Sequence, residues 1–373
     1  MDVPTLRASL TRETGSLGPY AGAYVRDLDS GRTVFARRPD LALAPASNEK
    51  LLVTATALLR KGPDATLSTR LVTRSDPTDG VIDGNVALVG GGDPYLRSSA
   101  LGELARQVAD AGVFQIKGRV LGDASMLDTR IGSFDSGWGF DPDLGGRLAA
   151  LVVDHGRGRD PVLQAAQTLH DALKRQDVEL GGRPRRGHIG PGTTELASYA
   201  SPPLSTVIAQ INVPSDNFAA ELLLKDIGSW SGSAGTTFAG AAVVRSALGG
   251  LGVRAQVYDG SGVSRADRVS PRAVVRLLDA MSQRPEGAAL AASLPVAGRT
   301  GTLSDRMRHS TARNRCSAKT GTLIGVSALS GYCTTVAGAR VAFSFLENRV
   351  CASCAKHIED RMLSAVARYD PSS

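Results

Sequence analysis

Ser47 and Lys50 stand in the pattern S-x-x-K, which pairs a hydroxyl nucleophile with an amine that can activate it. Positions i and i+3 of a helix share a face, so the Ser47 hydroxyl is expected beside the Lys50 amine. A lysine accepts a proton only in its neutral form, and burial together with nearby positive charge lowers its pKa. At the start of a helix, the Ser47 N–H would also be one donor of an oxyanion hole.

A second motif, S-x-N, is formed by Ser215 and Asn217. Pro214 precedes it and a helical pattern follows, which predicts a turn between two helices. We expect Ser215 to pass a proton between Lys50 and a leaving amine, and Asn217 to orient Lys50 and bind a substrate amide. Taken alone, the motif is more typical of a helix cap, since Ser and Asp both cap helices.

The third motif is K-T-G, formed by Lys319, Thr320 and Gly321 on a predicted strand and followed by Thr322. Lys319 and the hydroxyls of Thr320 and Thr322 would hold a terminal carboxylate, and the Thr322 N–H would be the second oxyanion donor. Glycine inside a strand often marks a close backbone approach, here expected from a peptide substrate that pairs alongside the strand. The alternative, a lysine that protects an exposed edge strand, leaves the glycine unexplained.

A second S-x-x-K, Ser353 to Lys356, shows how easily this pattern arises. It precedes a helix with a surface pattern, so we interpret Ser353 as a helix N-cap. The first S-x-x-K is significant because all three motifs occur in order, the first on a helix, the second on a turn between helices and the third on a strand. Together they indicate a serine acyl-transfer site that needs no metal and no cofactor.

The composition of the chain limits the kinds of molecule that it is expected to bind. The chain has 373 residues, 42% hydrophobic, with a net charge of +7. A basic protein favours anionic surroundings such as nucleic acid, an anionic cell-wall polymer or a membrane surface. Only 5% of residues are aromatic and no basic run is interleaved with them, which favours the basic surface of a secreted protein over nucleic-acid binding. No apolar run is long enough to span a bilayer. The first residues do not resemble a signal sequence, so we expect either a cytosolic protein or one whose signal has been removed.

Four cysteines lie near the end of the chain and allow three disulfide connectivities. Cys316 and Cys333 flank two predicted strands and could pair across a hairpin. Cys351 and Cys354 form C-x-x-C with His357 close by, which fits a redox pair, half of a zinc site or a local disulfide. We favour disulfides and an oxidising compartment, since no second ligand pair for zinc is visible.

The patterning predicts an α/β protein of the α+β type. Two strands near the N-terminus and three near the C-terminus would form one five-stranded antiparallel sheet flanked by helices. Residues 68–196 are predicted to be an inserted α/β domain, and residues 1–67 and 197–373 the catalytic domain. The predicted sheet strands are Ala23–Leu28, Thr33–Phe35, Ala318–Leu323, Val326–Cys333 and Val341–Leu346.

With these motifs the sequence resembles the serine penicillin-recognising enzymes, and most closely the class C low-molecular-mass penicillin-binding proteins, a D-Ala-D-Ala carboxypeptidase/endopeptidase family. The resemblance implies a DD-peptidase/β-lactamase-like transpeptidase fold, acylation of Ser47 by stem peptides ending in D-Ala-D-Ala and by β-lactams, and an extracytoplasmic location. Similar stretches are Gly90–Pro94, Gly122–Ser125, Ser201–Leu204, Asp259–Gly262, Leu294–Gly298 and Gly325–Tyr332.

Two departures from that family pattern matter. Val153–Gly156 runs almost directly into Asp160, so the further domain nested in larger members looks absent or vestigial. Residues 137–141 match a segment with which some members hold the free-amine end of the stem peptide, but the tyrosine-rich continuation is missing. We therefore treat the binding of a diaminopimelate ammonium by Trp138 and Asp141 as a hypothesis, against the alternative of an ordinary loop acid.

The sequence thus predicts a serine D-Ala-D-Ala carboxypeptidase that also cleaves cross-links as an endopeptidase. A β-lactamase or esterase on the same scaffold is the nearest alternative, although no dedicated deacylating glutamate is evident. A non-catalytic peptidoglycan-binding protein is another, and the intact Ser47 and Lys50 argue against it. A nucleic-acid-binding module is the weakest.

Overall fold

The structure, a computed structural model, describes residues 1–230, 232 and 235–372. The helices are α1 (Val3–Gly15), α2 (Glu49–Lys61), α3 (Ser98–Asp110), α4 (Pro161–Lys174), α5 (Leu204–Asn212), α6 (Asn217–Ser229), α7 (Thr237–Gly250), α8 (Pro271–Ser282), α9 (Gly287–Ala292) and α10 (Ala352–Val366). The strands are β1 (Ala21–Asp27), β2 (Thr33–Arg37), β3 (Ser68–Thr73), β4 (Val81–Ile82), β5 (Val86–Val89), β6 (Gln115–Ile116), β7 (Val120–Asp123), β8 (Glu179–Leu180), β9 (Arg185–Arg186), β10 (Thr194–Ala200), β11 (Ala255–Gln256), β12 (Arg268–Val269), β13 (Cys316–Leu323), β14 (Val326–Thr334) and β15 (Arg340–Asn348).

The chain divides into two compact units. The first contains Met1–Asp64, Ser205–Ala220 and Ala241–Ser373, and the second contains Ala65–Leu204 and Glu221–Gly240. No helix in the described part of the chain is long and apolar enough to cross a membrane.

The first unit is built on a five-stranded antiparallel sheet, as predicted, in the order β13-β14-β15-β1-β2. Alternate β1 residues face opposite sides of the sheet. Ala23 and Val25 join a core with α1 and α10, whereas Gly22 packs against Pro271 at the start of α8. Helices therefore cover both faces, and β13 lies at one edge.

Two disulfides lie in the first unit. Cys316 and Cys333 are bonded directly opposite each other in β13 and β14, which is one of the connectivities that the sequence left open. Cys351 is bonded to Cys354 at the start of α10. Cys351 is also the N-cap of that helix, so the interpretation of Ser353 as the N-cap was wrong. Ser353 lies within the first helical turn, because the helix begins one residue after Cys351.

The second unit has a mixed sheet in the order β10-β3-β5-β7-β9. Its strands β5, β7 and β9 are parallel, and parallel neighbours need long crossover connections. Helices α3 and α4 lie in these two crossovers. The expected loop at 132–146 contains no helix or strand.

A buried acid pair joins sheet and helix in the first unit. Glu347 of β15 lies beside Glu359 of α10, and Glu359 accepts hydrogen bonds from Ser327 Oγ at 2.6 Å and from Arg306 Nη2 at 2.8 Å. Burial, and then the charge and hydrogen bond of Glu359, raise the pKa of Glu347 well above its ordinary value of 4.5. The raised pKa favours the protonated form of Glu347 in the folded protein.

The Glu347 proton makes stability depend on pH in a predictable direction. Because the folded pKa is raised, the contribution is fully present below the unfolded pKa and is lost as pH rises through the folded value. In Glu347→Gln the amide imitates the protonated carboxyl, so this loss should disappear. As pH rises above the ordinary carboxyl value of 4.5, the unfolding free energy of the wild type should fall relative to the variant by up to about 1.4 kcal/mol per pH unit. Parallel slopes in denaturant melts of the two proteins would rule this out.

Candidate active site

Ser47 lies on a tight turn that leads into a buried helix. Ala46–Asn48 form one 3-10 turn, and α2 follows at once with Lys50 in its first helical turn. Ala46 has φ of +47°, a sparsely populated conformation for a residue with a side chain. The turn leaves Ser47 partly exposed, while Lys50 has no exposed surface. The nucleophile is thus accessible and its neighbouring amine is shielded from water.

The Lys50 amine lies close to oxygen atoms of Ser47, Asn217 and Ser261. Nζ lies 3.0 Å from Ser47 Oγ, 2.7 Å from Asn217 Oδ1 and 2.6 Å from the Ser261 carbonyl oxygen. The expected convergence of the first and second motifs is therefore present. The Ser261 carbonyl was not foreseen, because a search by residue type does not reveal which backbone oxygen will face a site.

This arrangement directs the reactive lone pair of Lys50. As an ammonium, the group can donate to all three oxygens. When it loses a proton, the amide oxygen of Asn217 and the carbonyl of Ser261 can still only accept. The two remaining N–H groups therefore stay with them, and the lone pair faces Ser47, whose hydroxyl is able to donate. The geometry thus suits removal of a proton from Ser47 Oγ.

The second motif lies on the turn between α5 and α6, as predicted. Asp216 caps α6 by accepting from the Ala219 N–H at 3.0 Å, so the capping role falls to the middle residue of the motif. Asn217 begins the helix and reaches Lys50. Ser215 has φ of +67°. Its role as a proton relay stays a prediction.

Lys319 of the third motif is completely buried on β13, and its Nζ donates to the Thr320 carbonyl at 2.9 Å. Burial, and then the positive charge of Lys50, lower the pKa of Lys319 well below its ordinary value. The two amines are therefore close enough to repel each other. The Thr320 hydroxyl is bonded to Thr302 Oγ1 at 2.7 Å. A bound carboxylate would relieve the repulsion between the amines.

The structure gives Gly321 a reason other than the expected approach of a substrate. A Cβ at this position would lie 2.7 Å from the Pro45 carbonyl oxygen and 3.0 Å from Asn48 Nδ2. These atoms flank Ser47, so the glycine allows β13 to pack directly against the turn that carries the nucleophile. Contact of Gly321 with a substrate stays a prediction beside this packing role.

The outer edge of β13 carries N–H groups for a further strand. The Ala318 N–H points away from β14 and donates to Pro295 O at 2.8 Å. Because successive strand residues alternate in direction, the N–H groups of Thr320 and Thr322 face the same edge. This direction suits the expected role of Thr322 as an oxyanion donor.

Trp138 and Asp141 lie in the second unit, on the loop at 132–146. Asp141 is only 4% exposed; its carboxylate accepts from the Ser133 hydroxyl and from the Asp143 N–H, the latter at 2.9 Å. The Trp138 ring packs 5.2 Å from that of Phe238, centroid to centroid. Asp141 thus has a structural task within its loop, and a role in substrate binding stays a prediction.

The described residues contain no group of three or more His, Cys, Asp or Glu side chains that could hold a metal ion.

The profile of the D-Ala-D-Ala carboxypeptidase 3 (S13) family matches residues 6–157 and 154–369. The chain belongs to this family. The predicted activity of a serine-type D-Ala-D-Ala carboxypeptidase is thereby confirmed.

Relatives of this S13 carboxypeptidase agree with the assignment. A D-alanyl-D-alanine carboxypeptidase from Actinomadura sp. (strain R39) is 30% identical over 94% of this chain and 82% of its own length. The carboxypeptidase DacB of Mycolicibacterium smegmatis is 29% identical, over 92% of this chain and 81% of its own length. The solved structure of penicillin binding protein 4 (dacB) from Haemophilus influenzae matches with a TM-score of 0.83 and 20% identity, and covers 97% of this chain and 99% of that one. This likeness confirms the predicted fold.

A methyl group at Gly321 should push the nucleophile turn away from β13. In Gly321→Ala we expect a loss of about 1 to 3 kcal/mol in unfolding free energy from overpacking, with slower acylation by a fluorescent penicillin. Gly249, near the end of α7, has open space at the Cβ position and provides the control. Gly249→Ala should retain the wild-type acylation rate. An equal rate in both variants would show that the contact of Gly321 does not position Ser47.

Proposed function

We propose that this S13 carboxypeptidase removes the terminal residue from peptidoglycan stem peptides ending in D-Ala-D-Ala, through an acyl-enzyme on Ser47. The observation that supports this most directly is the 3.0 Å separation of Ser47 Oγ and Lys50 Nζ, with Asn217 and Ser261 holding the amine from two other sides. A serine becomes a nucleophile when a base takes its proton, and this geometry provides that base.

In the first step, Ser47 Oγ attacks the carbonyl carbon of the penultimate D-Ala, and its proton passes to Lys50. The carbonyl oxygen takes up negative charge and is stabilised by the N–H groups of Ser47 and Thr322. Lys50 returns the proton through Ser215 to the departing D-Ala nitrogen as the C–N bond breaks. Water then hydrolyses the ester and frees Ser47.

Lys319 and the hydroxyls of Thr320 and Thr322 bind the terminal carboxylate in this scheme. The lowered pKa of Lys319 supports the assignment, because a buried amine beside another cation gains most from an anionic ligand. The extended substrate would run along the outer edge of β13 and pair with its N–H groups.

We assign residues 68–196 as an insertion in a catalytic domain formed by residues 1–67 and 197–373. Within the insertion, Trp138 and Asp141 would hold the ammonium at the free end of the stem peptide. An Asp141→Asn enzyme with unchanged KM for free-amine peptides would contradict this role.

Cleavage of peptidoglycan cross-links at the same site would add endopeptidase activity. The two disulfides support an extracytoplasmic location.

The same site would be acylated by β-lactams. A β-lactamase on this scaffold is the second candidate, and the solved structure of a β-lactamase from Chitinophaga pinensis shares the fold with a TM-score of 0.51 and 14% identity. The rate at which bound penicillin is released separates the two functions. Slow release marks a carboxypeptidase that β-lactams inhibit, and rapid turnover marks a β-lactamase.

Labelling with a fluorescent penicillin tests the nucleophile. The wild type should form a covalent adduct, and Ser47→Ala should form none, because in the proposed mechanism the acyl group is carried by Ser47 Oγ alone. Ser353→Ala alters the second S-x-x-K and should label as the wild type does. No adduct on the wild type, or loss of the adduct in Ser353→Ala alone, would end the proposal.

A further inference from the structure

A buried loop between β11 and β12 is organised by one carboxylate. Asp259 Oδ1 accepts from the Gly262 N–H at 2.7 Å, and Oδ2 accepts from the Ser264 N–H at 2.7 Å and the Ser261 hydroxyl at 3.2 Å. Asp259 has no exposed surface. All three partners are hydrogen-bond donors, which suits the two acceptor oxygens of the Asp259 carboxyl. They fix the backbone of residues 259–264.

This loop contacts the site at two points. The Ser261 carbonyl accepts from Lys50 Nζ at 2.6 Å. Gly262 has φ of +80°, and a Cβ there would lie 1.9 Å from the Ala46 carbonyl oxygen and 3.0 Å from the Ser47 nitrogen. One rigid loop therefore lies against both the base and the backbone of the nucleophile.

A second buried acid, Asp267, lies next to Asp259. Asp267 Oδ1 accepts from the Tyr258 N–H at 2.7 Å. Burial first, and then the negative charges of Asp259 and Glu49, raise the pKa of Asp267 well above its ordinary value. A raised pKa favours the protonated form of Asp267 next to the Asp259 carboxyl.

We propose that Asp259 is a positioning residue for acylation: by holding the 259–264 loop, it keeps the Ser261 carbonyl on Lys50 and Gly262 against the Ser47 turn. This inference rests on the proposed function, since it concerns the residues that carry out the acylation. It assigns a role to the Asp259–Gly262 stretch, which the three motifs leave without one. Asp259 acts through the loop and does not touch the substrate.

Two amide substitutions separate the roles of the two acids. In Asp259→Asn, the side-chain NH2 would face backbone N–H donors, so at least one bond is lost and the loop is released. We expect the acylation rate constant for a fluorescent penicillin to fall at least tenfold, with kcat for a D-Ala-D-Ala peptide reduced more than KM is raised. In Asp267→Asn, the amide can still donate to Asp259, so the loss should stay below threefold.

Glu359→Gln is the matched control for a general loss of stability. This substitution also removes a buried acid of the first unit, but the acid lies on α10. Helix α10 packs on one face of the sheet, and Gly321 contacts the Ser47 turn on the opposite face. Its thermal midpoint should fall while its acylation rate stays within twofold of the wild type. Acylation by Asp259→Asn within threefold of the wild type, or losses in Asp259→Asn and Glu359→Gln in proportion to their thermal midpoints, would overturn the inference.

Hydrogen exchange in the wild type tests the same claim even if Asp259→Asn does not fold. The Gly262 and Ser264 amides should exchange as slowly as those of the central sheet strands, and exchange at the rate of exposed loops would contradict the role of Asp259. Failure of the proposed function is recognised separately. In that case the wild type forms no adduct at Ser47, whereas failure of this inference leaves the adduct intact.

Discussion

The placement of one buried amine, Lys50 Nζ, governs the rest of the structure. An amine without access to water must find oxygen partners, because an unsatisfied buried cation is very costly. Here the partners come from separate parts of the chain: the turn before α2, the start of α6 and the loop between β11 and β12. These elements can meet only if the helices and the sheet are stacked as they are. The chemistry and the packing therefore impose the same constraint.

Close backbone approaches and unusual backbone conformations concentrate around this amine. Ala46 and Ser215 have positive φ, and Gly262 and Gly321 lie where a Cβ would clash with the turn that carries Ser47. Such conformations cost free energy and persist where the surroundings determine them strongly. The surroundings here are the apolar sheet and the Asp259 loop. The first unit thus uses part of its packing free energy to hold the nucleophile accessible and its base enclosed.

Much of this was predictable from residue types and spacing. Apolar runs with turn residues between them predicted the five strands, and the i, i+3 spacing of Ser47 and Lys50 predicted their contact. The motif order also led to Asn217. These features depend on local periodicity and on side-chain chemistry, and both can be determined from the amino-acid sequence alone.

The remaining features depend on tertiary contacts that periodicity does not encode. The reason for Gly321 is the neighbouring turn, which only the packed structure brings against β13. The Ser261 carbonyl belongs to the backbone, so no residue type signals it. At Ser353, a serine before a predicted helix indicated a cap, but the helix begins earlier and Cys351 takes that position. Asp141 is buried within its loop, where it accepts from Ser133 and Asp143, and no periodic pattern indicates these contacts.

The central claim is that Lys50 acts as a base and not merely as a positive charge. Arginine keeps the charge at this position but does not lose its proton at any ordinary pH. The most direct measurement is the rate constant for acylation of Lys50→Arg by benzylpenicillin, in protein whose thermal unfolding remains cooperative. We expect a loss of about a hundredfold or more, the usual contribution of a positioned base. A rate within threefold of the wild type would contradict it.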